Sequence, residues 1–186
     1  KLNDNATVVT ADDSTGNGFF HSVDEVLLPN KFINVTRVID KNFNLSDLYD
    51  FLVSPSFGGL AARLTGEGPF TILAPTNDAF KDADLSGFTG SEIQIILRFH
   101  VIASELLSSE IVDEIKALEN PDDGITRTSD NGEELTFTLD DPTVDDPTVL
   151  INDQDVISTA DLEGSNGVVH IIDGILVPPS LQVQDN

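Results

Sequence analysis

The side chains best suited to proton transfer or metal binding are three histidines: His21, His100 and His170. His100 falls on an apolar stretch of helical periodicity, where a neutral, hydrogen-bonded core histidine is the usual outcome and contact with a ligand is the alternative. His21 and His170 occupy the same position in two copies of an internal repeat, so one domain would not bring them together. We therefore predict neither a histidine metal cluster nor a catalytic histidine.

His170 and Asp173 suggest a Ser-His-Asp hydrolase, but the sequence has no Gly-x-Ser-x-Gly turn. On one strand, residues three apart point to opposite faces, so this pair is predicted to anchor structure. The chain contains no cysteine, which excludes disulfides and thiolate chemistry. Aromatic residues make up only 6% and tryptophan is absent, which disfavours a sugar-cleaving cleft. We expect a protein that is not an enzyme.

Acidic side chains crowd one turn segment, where two Asp-Asp-Pro-Thr-Val pentamers carry Asp140, Asp141, Asp145 and Asp146. Hard cations such as Ca²⁺ prefer oxygen ligands, so weak calcium binding is one hypothesis here and a solvated run of charge is the other. No EF-hand spacing is present. Asn77 and Asp78 follow a proline at a predicted helix start, where short polar side chains cap free amide groups.

The overall charge limits the partners. Nine basic residues oppose 33 acidic ones, a net charge of −24, which repels nucleic acid and anionic membranes and suits cationic partners or a saline medium. No apolar run approaches the roughly 20 residues of a membrane span. Three Asn-x-Ser/Thr sequons, at Asn5, Asn34 and Asn44, are potential glycosylation sites in a secreted protein.

An internal repeat sets the domain organisation. Residues 17–29 match residues 166–178 without a gap, at the offset of 149 residues that separates His21 from His170. We predict that residues 1–30 are the strand-like tail of a preceding repeat, that 31–183 form one complete domain and that 184–186 are a tail. Strands without their neighbours need a partner, which would be the complete domain, a second chain or an upstream domain.

The complete repeat is helical in its first half. We expect a helix capped by Asn44, a short helix over 57–64, a buried strand at 69–75, a helical turn opened by Thr76, a helix with a capping box at Ser91, and a helix from Ser108 or Ser109 to Leu118. The second half is predicted as strands, at 125–128, 133–139, 148–151, 156–158 and 167–177. Helices and strands in separate blocks indicate an α+β fold.

Three segments resemble the fasciclin (FAS1) family: residues 71–80 its first signature motif, residues 99–102 its central Tyr-His motif, and residues 166–178 its C-terminal motif. The resemblance covers about 31–183. It implies an α+β fold, a FAS1-type β-wedge of sandwich-like sheets with a layer of several short helices, often in tandem. It also implies cell adhesion or matrix binding outside the cell. Apart from the hypothesis of weak calcium binding, we expect no cofactor.

The resemblance also implies a partner site. In animal members, integrin recognition is assigned to an Asp-Ile step before the C-terminal motif and to the Tyr-His region. The matching positions here are Asp161 and Leu162, with Leu in place of Ile, and Phe99 and His100, with Phe in place of Tyr.

We therefore predict an extracellular or cell-surface adhesion module. Its expected partners are a cell-surface or matrix protein, a polysaccharide, or a second copy joined through residues 1–30. The alternatives are a structural spacer in a tandem surface array and a module that binds a polysaccharide or small ligand.

Overall fold

A computed structural model gives the fold of this chain and describes residues 7–24, 32–57, 60–83 and 85–182. Within these ranges the α-helices are α1 Val35–Asp40, α2 Ser46–Val53, α3 Leu60–Leu64, α4 Asn77–Asp82, α5 Gly90–Phe99 and α6 Ser108–Lys116. The strands are β1 Val8–Thr15, β2 Gly18–Val23, β3 Phe70–Pro75, β4 Val101–Ile102, β5 Ile125–Thr128, β6 Glu134–Leu139, β7 Val149–Ile151, β8 Asp155–Gly164 and β9 Gly167–Ile172. From residue 32 onward, most helices precede most strands, which confirms the α+β class.

Seven strands form one mixed sheet in the order β4-β3-β9-β8-β7-β6-β5. Strands β3 and β9 pair in parallel, from Phe70 opposite Gly167 to Pro75 opposite Ile172, and the other pairs are antiparallel. A bridge between Ile102 and Ser129 joins the two ends of the sheet. The sheet is therefore nearly closed, which confirms the predicted β-wedge.

The parallel pair β3–β9 lies between two apolar clusters, and every residue of both strands is buried. Ile72 and Ala74 belong to the cluster that contains the buried side chains of α1, α2 and α3. Leu73, which points to the opposite face, belongs to the cluster formed with α6, β5, β6 and β7. A strand buried on both faces needs a continuous apolar run, and this is what both motif segments supply.

Two predicted helix starts were wrong. Asn44 does not cap α2: the capping side chain of this segment is Asn42, which accepts from the Asn44 N–H at 3.0 Å and opens the 3₁₀ turn Phe43–Leu45 ahead of α2. At α5 the cap is Thr89 rather than Ser91, with Glu92 accepting from the Thr89 N–H at 2.7 Å. Each error is a shift of two residues, because several Asn, Ser and Thr side chains compete for the same role in these segments.

Sequence periodicity also missed one helix and misplaced the ends of two strands. Helix α1 was not predicted, although Asn34 caps it by accepting from the Arg37 N–H at 3.0 Å. Strand β8 runs far past the predicted 156–158, because a bulge at the left-handed residue Asp161 (φ 58°) interrupts its alternation. Strand β9 ends at Ile172 rather than 177.

Strands β1 and β2 form a separate two-stranded sheet. Its side chains are exposed along almost the whole length. The predicted boundaries near residues 30, 31 and 183, and the tail 184–186, lie outside the described residues, so the proposed domain division stays a prediction.

Candidate functional site

Asp161 lies at the β8 bulge, where its carboxylate faces the start of α6. One carboxylate oxygen accepts from the Ser108 N–H at 2.9 Å, and the other accepts from the Ser108 hydroxyl. About a third of the side chain (34%) remains exposed. The bulge and the helix start therefore hold one acidic side chain in a fixed position at the surface.

His170, on the neighbouring strand β9, holds this bulge through hydrogen bonds to backbone groups. Its Nδ1 accepts from the Asp161 N–H at 3.2 Å, and its Nε2 donates to the Leu106 carbonyl at 2.8 Å. The side chain is buried, and burial lowers the pKa of His170, although the Leu106 carbonyl and the Asp161 carboxylate oppose that shift. His170 is thus a neutral cross-link between three segments of backbone.

His100 follows the end of α5 and is also buried. Its Nδ1 donates to the Ile96 carbonyl at 2.8 Å, and its Nε2 accepts from the Leu176 N–H at 3.0 Å. Burial lowers the pKa of His100 to about 4. Both ring nitrogens are used on backbone groups, in agreement with the predicted core histidine.

Asp173 was considered with His170 as part of a Ser-His-Asp triad. Its carboxylate accepts from the Val156 N–H at 2.8 Å, whereas His170 bonds to the Leu106 carbonyl. The carboxylate therefore fastens the start of β8 to the end of β9. Beside it, burial and the charge of Asp173 raise the pKa of Asp155.

Asn77 does not cap its own helix. Its carbonyl oxygen accepts from the Asp47 N–H at 3.0 Å, and its amide donates to the Phe43 carbonyl at 2.8 Å. Thr76 is the cap of α4, accepting from the Ala79 N–H at 3.1 Å. Asn77 thus joins α4 to the start of α2, a structural role reached through a different contact from the one predicted.

The four residues predicted to bind a partner do not form one surface. Phe99 and His100 are buried, and Phe99 belongs to the cluster on the α6 side of the sheet. Leu162 is partly buried against the opposite cluster, which contains α1 to α3. Among the four, Asp161 has the charged group that reaches solvent. Partner binding at these positions stays a prediction.

An open groove of about 650 Å³ lies beside this carboxylate, between α6, the loop that carries the acidic pentamers, and β8. Ser108 and Ala160, which flank the Asp161 contact, line it together with the carboxylates of Asp113, Asp145 and Asp146. Several acidic residues and, among the described lining residues, no lysine or arginine favour a cationic group as the occupant of this groove.

Two aspartates of the pentamer segment are used inside the loop. Asp140 accepts from the Thr148 N–H at 2.7 Å, and this bond lowers the pKa of its carboxyl. Asp141 accepts from the Thr143 hydroxyl at 2.6 Å and from the Thr143 N–H at 2.9 Å, and these two bonds lower the pKa of its carboxyl. Among the described residues, no three His, Asp or Glu side chains gather as a metal site would require. Weak calcium binding by this loop stays a prediction.

Sequence reasoning missed one polar cluster. Asp130 was assigned only to a hairpin turn, yet its carboxylate is buried between Arg63 and Arg98, with Arg98 Nε 2.8 Å from one oxygen. The Asp130 N–H also donates to the Val101 carbonyl at 2.7 Å. This cluster fastens the β5–β6 turn to the end of α5. No local sequence pattern predicts it, because the three residues are far apart in sequence.

Comparison with known proteins gives consistent results. The sequence profile described as the Fasciclin domain matches residues 44–178. Protein sll1483 of Synechocystis sp. is 35% identical over 130 residues, which are 64% of this chain and 61% of that protein. Transforming growth factor-beta-induced protein ig-h3 of Sus scrofa is 28% identical over 181 residues, which are 94% of this chain and 24% of that protein. The chain thus spans less than two thirds of either relative.

Among solved structures, a FAS1 domain pair from the insect cell adhesion molecule Fasciclin I superposes with a TM-score of 0.69 at 20% identity. The match covers 94% of this chain and 60% of that one. At this identity the match establishes the fold. Among the described residues, no helix combines the length and apolar character needed to cross a lipid bilayer.

Proposed function

Because this chain belongs to the Fasciclin domain family, we propose that it is an extracellular or cell-surface adhesion module that works by surface contact and catalyses no reaction. The solved relative with the same fold is named a cell adhesion molecule. The proposal extends that activity to this chain. Its partner is a cell-surface or matrix protein that presents basic side chains.

The single observation that carries the proposal is the fixed carboxylate of Asp161 beside the acidic groove. Ser108 bonds both carboxylate oxygens and His170 holds the Asp161 backbone N–H, so the carboxylate is fixed before a partner binds and little ordering entropy is lost. Each oxygen of this carboxylate keeps acceptor capacity beyond its bond to Ser108, so it can accept a charge-assisted hydrogen bond from a lysine or arginine. The net charge of −24 adds long-range attraction toward a basic surface.

The absence of catalysis is supported by how the two buried histidines, His100 and His170, are used. A general base needs a ring nitrogen free to accept a proton from a substrate. In His100 and His170 both nitrogens bond to backbone groups in the interior. These histidines support the surface and do not face an open cavity.

The predicted partner residues take different parts in this proposal. Asp161 contacts the partner directly, whereas Leu162, Phe99 and His100 position the surface through packing on the two sides of the sheet. We expect substitutions at the three packing residues to act on stability first and on binding only through it.

The test is adhesion of the purified chain to cells and to a decellularised matrix extract. Reversing two groove charges, with Asp145→Lys and Asp146→Lys, should weaken adhesion about tenfold or more and flatten its salt dependence. The matched control reverses Glu119 and Asp122, exposed acids beyond the other end of α6, and changes the net charge equally.

Equal loss in both variants would reduce the effect to net charge and contradict a groove site. If neither cells nor matrix retain the unaltered chain at about 0.15 M salt, the adhesion proposal fails and a spacer role is supported. Retention on a glycan array alone would instead support a polysaccharide-binding module.

A further inference from the structure

The hairpin β1–β2 reproduces β8–β9 in detail. In β1–β2, Val8 pairs with Val23 and Thr15 with Gly18; in β8–β9, Ile157 pairs with Ile172 and Gly164 with Gly167. All five pairs of each hairpin correspond at the offset of 149 residues, and the two register shifts fall at the same places. The repeat seen in the sequence is therefore also a repeat of backbone geometry.

The correspondence extends to the His-Asp contact. Asp12 adopts a left-handed conformation (φ 57°), as Asp161 does (φ 58°). The Asp12 N–H donates to Nδ1 of His21 at 3.1 Å, which matches the 3.2 Å bond from Asp161 to His170. A left-handed aspartate is uncommon, so its recurrence at the same bulge marks the same structural unit.

What differs is the surroundings. Val168 and Val169 of β9, which pairs with β3, are 1% and 0% exposed, whereas the corresponding Phe19 and Phe20 of β2 are 71% and 50% exposed. Within the described residues β2 pairs only with β1. The edge of β2 that corresponds to the β3-binding edge of β9 is therefore open. An exposed aromatic pair beside an open strand edge is a feature that soluble proteins normally cover.

Gly18 gives an independent indication. A Cβ on its counterpart Gly167 would lie 2.0 Å from the Phe70 carbonyl oxygen, so glycine is required there because β3 passes so close. A Cβ on Gly18 would meet no atom within 4 Å. The described surroundings of Gly18 therefore do not require a glycine. A strand that paired with β2 as closely as β3 pairs with β9 would require one.

We propose that the open edge of β2, together with the aromatic side chains on its two faces, binds the strand-and-helix remainder of another fasciclin-type domain, located N-terminal to this hairpin in the same polypeptide. An apolar strand pairs in parallel with β2, as β3 does with β9. A backbone carbonyl accepts from Nε2 of His21, as Leu106 does for His170, and the start of a helix bonds to the Asp12 carboxylate, as Ser108 does for Asp161.

Two observations favour this occupant over a second copy of the chain. In this domain the position beside β3 is already occupied by its own hairpin β8–β9. Phe19 and Phe20 are also too large for the space that Val168 and Val169 fill. Because β8 follows β7 directly along the chain, the remainder of a unit completed by β1–β2 is the sequence N-terminal to it. The structural match to a domain pair, covering 60% of that two-domain chain, agrees with one domain plus a part of its neighbour.

The first experiment measures amide hydrogen exchange on the chain as it is. We expect the β2 amides to exchange at nearly unprotected rates, because an isolated hairpin is marginally stable, and the β9 amides only on global unfolding. Strong β2 protection that is independent of concentration would show that the hairpin needs no partner. Protection that grows with concentration would assign the site to a second copy. Either result overturns the proposal.

The second experiment supplies the missing part. Residues 31–149 of this chain are fused ahead of Lys1, with Phe19→Val and Phe20→Val so that the hairpin fits this domain's own slot. We expect the hydrogen-exchange rates of the β2 amides to fall at least about 100-fold. The comparison is the unfused chain with the same two substitutions.

Within the fusion, two further variants test the docking geometry. The first carries Phe20→Asp in place of Phe20→Val, at the position that corresponds to buried Val169, and the control carries Ser14→Asp, at the position that corresponds to exposed Glu163. The first should abolish β2 protection, leaving the β9 amides as a folding reference, and the second should preserve it. If the fusion leaves β2 unprotected, or if both variants behave alike, the proposed docking is wrong.

Discussion

At the scale of single residues, the two buried histidines act as cross-links between segments of backbone. Each donates from one ring nitrogen and accepts at the other, and the two use opposite nitrogens as the donor. The accepting nitrogen must stay unprotonated. Protonation at low pH breaks the accepted hydrogen bond at each histidine and destabilises the fold.

We expect the free energy of unfolding to fall as the pH is lowered from about 6.5 to about 4. The pKa of His100 is about 4 in the folded chain and about 6.5 when unfolded, so the unfolded state binds a proton first. The stabilisation is complete above pH 6.5 and decreases by about 3 kcal/mol as the pH approaches 4. Burial shifts the pKa of His170 in the same direction and adds to the loss.

Urea denaturation at pH 7.5 and at pH 4.5 measures this dependence, with His100→Gln as the comparison. The variant should be less stable at pH 7.5 and should lose less stability on acidification, because it lacks one titrating group. An equal pH dependence in both proteins would contradict the assignment of the effect to His100.

At the scale of elements, the turn between β8 and β9 joins the two ends of the domain. Asn166 accepts from the Val35 N–H at 2.9 Å and donates to the Leu64 and Gly66 carbonyls at 2.9 and 2.8 Å. The Phe70 N–H donates to the Asn166 carbonyl at 3.0 Å. One turn therefore fixes the start of α1, the end of α3 and the start of β3, which explains why Asn and Gly open the C-terminal motif.

Two glycine substitutions should separate a packed hairpin from an open one. Gly167→Ala places a Cβ against the Phe70 backbone, which cannot move freely, so we expect a loss of about 3 kcal/mol or more. Gly18→Ala meets open space in this chain and should change the unfolding free energy by less than about 0.5 kcal/mol.

Chemical denaturation of the two variants beside the unaltered chain measures both values. A large loss from Gly18→Ala would mean that the hairpin is already packed against something in this chain. A small loss from Gly167→Ala would mean that β3 and β9 are not held as closely as described.

At the scale of the whole molecule, the dominant feature is the excess of 33 acidic over nine basic residues. Several of the few cations are occupied in ion pairs, such as Arg37 with Asp40 and Arg127 with Glu114. Most carboxylates therefore repel one another across the surface. This repulsion destabilises the compact state and keeps the protein soluble.

Added salt should therefore stabilise the chain. Raising NaCl from about 0.01 M to about 1 M shortens the screening length from about 30 Å to about 3 Å. We expect the unfolding free energy to rise by about 1 kcal/mol or more, equivalent to about 2–4 °C in the unfolding temperature of a chain this size.

Thermal denaturation across a salt series measures this rise. A variant with Asp145→Asn and Asp146→Asn should be more stable at low salt and less sensitive to salt, because it carries fewer repelling charges. A fall in stability with NaCl, or equal sensitivity in both proteins, would contradict the electrostatic explanation.

The sequence predicted elements better than it predicted their ends or the candidate site. The run 69–75 was predicted as a buried strand and 167–177 as a strand because their side chains are largely apolar; both strands are present, although the second ends at Ile172. The caps at Asn42 and Thr89 were displaced by two residues, because neighbouring polar side chains are chemically equivalent until the helix axis is fixed. Phe99 and Leu162 were grouped as one partner site, although they pack on opposite sides of the sheet.

The sequence by itself determined the family, the α+β class, the acidic surface and the internal repeat, since composition, periodicity and motif order are local or additive properties. Only the tertiary structure decided that Asp161 is fixed by Ser108, that Asp130 lies between two arginines, and that β2 has an open edge where β9 is covered. Those facts depend on which distant segments meet, and the meeting is set by packing of the whole chain around β3 and β9.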